Sequence, residues 1–194
     1  MNMDRHPIQC RCGTLKGEVT HPGRAVRAVC YCRDCQAFAH ELGEPAAVLD
    51  ELGGTDVVAT QGRYVRFTSG TRTLACLSLY PRGLLRWYAS CCRTPIGNTP
   101  RDWRLPYVGL VHACLRTVAP VEHSWPQVQM RVNTKSAAGP TPAMPLTQFL
   151  PMAAFVPRMR AQGNDRRCRY PDSAHCARRR AWCGSGWSHW MARS

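Results

Sequence analysis

Cys10-Arg11-Cys12-Gly13 and Cys30-Tyr31-Cys32-Arg33-Asp34-Cys35 decide how this chain reads. They place five thiols within 26 residues. Two- and three-residue spacings let neighbouring sulfurs converge on one tetrahedral centre, with Zn–S near 2.3 Å. Residues i and i+2 of an extended segment point the same way, so Cys10 and Cys12 can grip one metal edge-on. Gly13 permits the tight turn that follows and lets backbone N–H groups approach the sulfurs. Cys30 and Cys32 share a face at the end of a strand, and Cys35 returns to them across a turn. Three thiolates leave one tetrahedral position for water or an external thiol, as in a catalytic zinc site.

Outward from these clusters the chain reads as mainly β. Strands are expected at Leu15–Val19, Val26–Cys30, Asp56–Thr60, Tyr64–Thr68, Thr73–Leu79, Gly83–Tyr88 and Tyr107–Val111, rich in β-branched and aromatic residues. Gly53-Gly54, Ser69-Gly70 and Pro81-Arg82-Gly83 mark turns, the last of them a hairpin loop. Helix is minor: about two turns over Cys35–Leu42, and a short piece over Thr147–Ala154. The organisation expected is a zinc-binding β domain over 1–134, a Pro/Ala-rich docking segment over 135–157 and a basic tail over 158–194.

The net charge is +14, and residues 158–194 carry half of it, with nine Arg against two Asp. That tail has no Val, Ile, Leu or Phe and cannot build a core of its own. Its composition fits either a functional tail or a GC-rich gene read out of frame. Cys168, His175, Cys176, Cys183 and His189 match no standard finger spacing, so nucleic acid is not the expected partner. The body is moderately basic, which suits small anionic ligands. The N-terminus has no apolar signal region, and the longest apolar stretch is broken by Pro145 and Pro151. The expected setting is therefore the reducing cytoplasm, with no membrane, where clustered cysteines bind metal more often than they pair.

A third cysteine group, Cys91-Cys92, stands in Trp-Tyr-Ala-Ser-Cys-Cys-Arg-Thr-Pro. On an extended backbone adjacent side chains diverge. The expectation is that one of the two, Cys92 before the turn at Thr94-Pro95, joins Cys10 and Cys12, while the other is a small buried apolar residue. Cys76 and Cys114 lie in apolar runs and read as core.

Together these residues resemble a known family, the glutathione-dependent formaldehyde-activating enzymes with the related centromere protein V domain. The resemblance rests on Cys10-x-Cys12-Gly13, Cys30-x-Cys32-x-x-Cys35, Gly53-Gly54-Thr55-Asp56, Phe67-Thr68-Ser69-Gly70 and Cys92-x-Thr94-Pro95. It covers roughly residues 8–115. It implies a small antiparallel β-sandwich, or β-tent, in which the first pair and a late Cys-x-x-Cys hold a structural zinc. The middle trio then holds a second, more labile one. The late motif departs from the family: its first cysteine falls on Ala89, and Arg93 stands where Gly is expected. Cys91, Cys76 or water could complete that site. The metal candidates are thus Cys10, Cys12, Cys30, Cys32, Cys35, Cys91 and Cys92.

The resemblance also implies carbon–sulfur chemistry on adducts of glutathione and aldehyde, the S-hydroxymethylglutathione type. Cys30, Cys32 and Cys35 are then the catalytic group, holding a zinc that accepts the substrate sulfur and lowers its pKa. Arg24, Arg27 and Arg33 are candidates for the glutathione carboxylates, or else a solvated basic surface. A proton donor is not evident, although Asp34 lies within the motif. The rival reading is a non-enzymatic β domain stapled by zinc for binding a partner.

Overall fold

The computed structural model describes residues 4–102 and 104–144, together with 153 and 157. The expected helix over Thr147–Ala154 (apart from Ala153), Trp103 and the tail beyond 157 lie outside the described residues. Ten strands form two sheets, with two helices. The strands are β1 (Arg5–Gln9), β2 (Lys16–Thr20), β3 (Val26–Cys30), β4 (Thr55–Gln61) and β5 (Val65–Ser69). They continue with β6 (Leu74–Leu77), β7 (Leu85–Ala89), β8 (Thr94–Thr99), β9 (Tyr107–Val111) and β10 (Met130–Val132). The helices are α1 (Arg33–Glu41) and α2 (His112–Leu115).

One sheet has the order β1-β2-β5 and the other β10-β3-β4-β9-β8-β7-β6. Alternation along the strands gives the large sheet two apolar faces. Val58, Leu85, Trp87, Val108 and Leu110 face the small sheet, where Ile8, Leu15 and Val19 meet them. Val26, Ala28, Val57, Ala59 and Val111 face the other way, under Ala39 of α1 and Val48. Fully burying one such Val or Leu contributes about 1.5–3 kcal/mol, so both faces must be covered.

Seven expected strands are present, with β3 and β9 at the expected bounds. Three others were not anticipated. β1 contains Pro7, which an edge strand tolerates because no ladder N–H is required there. β8 contains Pro95, Gly97 and Asn98, which read as a turn. Instead Trp87 pairs with Gly97 and Tyr88 with Pro95, so Ile96 is a bulge. The third, β10, has three residues and pairs with β3 in parallel, against the wholly antiparallel expectation. The chain crosses from β9 through α2 before entering that edge, and such a crossover permits parallel entry. The segment expected to dock does so at its start. Gln36 Nε2 donates to Ser136 O at 3.0 Å, and Ala138 N–H donates to Leu52 O at 3.0 Å.

The loop after β5 presses on the loop joining β1 to β2. Gly70 has φ +72°, and a Cβ there would lie 2.2 Å from Thr14 O. Gly70→Ala should therefore destabilise the fold by at least about 2 kcal/mol in urea denaturation. An unchanged midpoint would show that this approach is not tight.

Candidate metal centres

The first group is built by two hairpin tips. The chain turns from β1 to β2 over 10–15, with Gly13 N–H bonded to Cys10 O at 2.9 Å and Gly13 in the left-handed region at φ +76°. The tip joining β7 to β8 meets it. There the Cys10–Cys12, Cys12–Cys91, Cys91–Cys92 and Cys10–Cys91 sulfur pairs lie 3.5, 3.3, 3.8 and 3.9 Å apart. All four sulfurs are within 4.8 Å of one another and could hold a metal ion. A tetrahedron with 2.3 Å metal–sulfur bonds has edges of about 3.8 Å, close to these separations.

Both adjacent cysteines therefore join the group, in keeping with their place among the metal candidates; the reading of one of them as a small buried apolar residue does not hold. Cys91 is in fact exposed. Adjacent side chains diverge on an extended backbone, whereas Ser90–Arg93 is a turn, with Cys92 N–H bonded to Ala89 O at 3.3 Å. Arg93 takes φ +57°, a left-handed conformation that favours Gly. Its guanidinium Nε donates to Leu42 O at 3.0 Å and Nη2 to Glu41 O, so the tip is fastened to the C-terminal end of α1, where a cation is favoured.

The shell around these sulfurs divides them, favouring thiolate at Cys12 and Cys92 and opposing it at Cys10 and Cys91. Leu15 N–H donates to Cys10 Sγ at 3.2 Å, and the Thr14 and Thr94 hydroxyls lie 3.2 and 3.1 Å from the sulfurs of Cys12 and Cys92. Bonds from the Thr14 side chain and backbone bring the Cys12 thiol down to about 6. Burial pushes Cys10 up. Cys76 and Cys114 are buried in the core, outside both cysteine groups.

The second group is the trio Cys30, Cys32 and Cys35, again with sulfurs within 4.8 Å of one another and able to hold a metal ion. Cys30 ends β3. Cys32 is the N-cap of α1, with Cys35 N–H donating to its sulfur at 3.4 Å, and Cys35 is held inside the first turn. Asn133, after β10, donates Nδ2 to Cys30 Sγ at 3.4 Å. Hydrogen bonds from Cys32 and Cys35 hold the Cys30 thiol far down, and the same sharing raises Cys32 and Cys35.

Of the three expected arginines, two are misplaced for this site. Arg24 lies before β3, at the opposite end of that strand from Cys30, about 13 Å of strand away. Arg27 stands an odd number of residues from Cys30 and so faces the small-sheet side. Its guanidinium is engaged by Asp56 at 2.6 Å, Glu122 at 2.8 Å and Trp125 O at 2.7 Å. Arg33 is exposed on the first turn of α1. The cation beside the trio is Arg86 of β7. Its side chain is 4% exposed, with Nη1 3.7 Å from Cys35 Sγ, Nη2 3.6 Å from Asp34 and the guanidinium 5.7 Å over the Phe38 ring. Burial opposes its charge, and the Cys35 sulfur together with Cys32 and Asp34 outweighs that cost, so the guanidinium is held up. A charged residue inside the apolar run Leu85-Arg86-Trp87 was the signal that could have revealed it.

His112 belongs to neither cysteine group. Its Nδ1 lies 3.2 Å from Asp56 O, beside a separate cleft of about 390 Å³ that Arg27, Asp56, Arg116 and Glu122 also line.

Fold and site define a mainly β protein of two sheets carrying two cysteine groups, one of four thiols and one of three. The model of a family of unknown function, DUF6151, matches residues 3–178, and the chain belongs to that family. No curated protein matches it. No helix among the described residues is long and apolar enough to cross a membrane.

Cys91→Ser and Cys92→Ser should each weaken the four-thiol centre, lowering bound metal from near two equivalents toward one and dimming the sulfur-to-cobalt absorbance of cobalt-loaded protein. A Cys92→Ser protein with an unaltered cobalt spectrum would remove Cys92 from the ligand set.

Proposed function

We propose that both groups hold zinc, and that the protein is a carbon–sulfur lyase or synthase acting on adducts of a small thiol with an aldehyde, of the S-hydroxymethylglutathione type. The observation that carries this reading is the contrast in ligand number: four protein thiols converge in one group and three in the other. A centre closed by four protein ligands is structural, and one with three keeps a position for substrate. The resemblance to the glutathione-dependent formaldehyde-activating enzymes supports the same division, as does a donor set of soft sulfurs, which selects zinc over hard cations.

Zinc bound at the trio would supply a Lewis acid that lowers the pKa of a thiol taking the fourth position. The chain's own contribution is electrostatic. Three thiolates around a divalent ion leave one negative charge, and a fourth thiolate would leave two. Buried Arg86 beside Cys35 offsets one of them and so favours a thiolate visitor over a neutral one. The Cys35 amide and the Asn133 amide hold the Cys32 and Cys30 sulfurs in place.

In the lyase direction the carbon–sulfur bond breaks and its electron pair stays on sulfur. The adduct's hydroxyl loses its proton to become the aldehyde oxygen, and that proton finishes on the departing thiol or in water. Nothing is oxidised or reduced. The seven thiols stay competent in a reducing setting, so the cytoplasm remains the proposed compartment.

A stapled scaffold without catalysis is the second reading, and the closed four-thiol centre is what favours it. Zinc-loaded protein mixed with glutathione and formaldehyde decides between the two. The lyase reading expects faster exchange between free aldehyde and adduct, followed by magnetisation-transfer NMR. Cys32→Ser abolishes the acceleration, and Arg86→Gln reduces it about 10–100-fold. No acceleration with two equivalents of zinc bound would leave the scaffold.

A further inference from the structure

We propose that Asn98, Tyr107 and Arg86 form the specificity wall of the trio, holding the hydroxyl on the carbon bonded to the substrate's sulfur. This rests on the reading of the trio as a thiol-adduct site. It adds the group that tells a hydroxyalkyl adduct from a plain thioether.

The strand register places the three residues together. Ala59 pairs with Gly109, Gly109 with Asn98, and Asn98 with Arg86, so one row crosses β4, β9, β8 and β7. Cross-strand partners share a face, and this is the face covered by α1. The row begins with small residues and ends with two polar ones. Tyr107 lies two residues before Gly109 on the same face, and its ring folds over the glycine. A Cβ on Gly109 would stand 2.5 Å from Tyr107 Oη and 3.0 and 3.2 Å from Asn98 Oδ1 and Nδ2, so the bare glycine is what leaves room for both side chains over this position. At the end of the row the Arg86 guanidinium reaches Cys35 Sγ at 3.7 Å.

Asn98 is 6% exposed, and its buried Oδ1 has no hydrogen-bond partner among the described residues. An unpaired buried acceptor is costly, and a ligand that donates to it would recover the loss. A hydroxyl suits the site because it donates to Asn98 while accepting from Arg86 or Tyr107. A thioether offers nothing there, and an acyl carbonyl only accepts, leaving Oδ1 unpaired. A site built to pair a hydroxyl discriminates strongly against analogues that lack it.

Calorimetric binding to the zinc-loaded full chain tests the assignment with three probes: glutathione equilibrated with formaldehyde, glutathione alone, and S-methylglutathione. The wild-type protein should prefer the formaldehyde mixture. Asn98→Leu and Tyr107→Phe should each cut that preference by a factor of about 10 to 100, with little change toward S-methylglutathione. Asn98→Leu removes an unpaired acceptor, so its Tm should hold or rise, which separates lost recognition from lost folding. Variants that fold and keep the full preference would overturn the proposal. A wild-type chain that binds zinc but none of the three probes would instead overturn the thiol-adduct reading on which it rests.

Discussion

The meeting of two hairpin tips, each carrying two thiols, is the constraint from which the rest of this structure hangs. Cys10 and Cys12 belong to the small sheet and Cys91 and Cys92 to the large one, so bringing four sulfurs within 4.8 Å fixes one sheet against the other. A metal ion held by these four thiols would close that junction, where two small tips offer little apolar surface of their own. Arg93 carries the constraint onward. Its backbone closes the second tip and its side chain binds the last carbonyls of α1. The N-terminal end of the same helix holds Cys32 and Cys35. Four-thiol centre, helix and trio are thus coupled through one residue.

Much of the framework was legible because its signals are local. The strands β3 and β9 are short apolar runs flanked by breakers, and their bounds were read directly. Gly53-Gly54 and Ser69-Gly70 marked turns that exist. What escaped were positions where a breaker does something other than break. Pro7 sits on an edge, where its missing N–H is harmless. Pro95 precedes a bulge at Ile96, and a Cβ on Gly97 would lie 2.6 Å from Gly109 O, so that glycine serves close strand approach rather than a turn. Pairing of β10 with β3 depends on contacts a hundred residues apart, beyond any local pattern.

The candidate sites divide the same way. Cysteine spacing exposed both groups that could hold a metal ion, since ligand spacing is itself local geometry. Cys91 and Cys92 can both join the group because Ser90–Arg93 is a turn, where adjacent side chains need not diverge as they do on a strand. Arg93 adopts a left-handed conformation that favours glycine and adds a side-chain anchor that a glycine could not. The arginines were misjudged for a different reason. Proximity in sequence suggested Arg24 and Arg27, but alternation turns Arg27 to the opposite face. Arg86, fifty-one residues from Cys35, reaches it through the fold.

Polar satisfaction argues that the α1-covered face of the large sheet is more than packing. Among the described residues the buried side-chain atoms without partners include Thr55 Oγ1, Gln61 Oε1 and Asn98 Oδ1, which by alternation and register stand on that face, whereas Thr60 Oγ1 stands on the other. Thr55 is the cross-strand neighbour of Cys30, Gln61 that of Tyr107, and Asn98 that of Arg86. Each unpaired group costs about 1–3 kcal/mol, and apolar replacements of similar shape would remove the cost. Core packing alone gives no reason to keep three such groups on one face beside a cluster of thiols and a buried guanidinium. Departures from good packing that gather at one place are what a working site requires, because its polar atoms must wait for partners that arrive with the ligand.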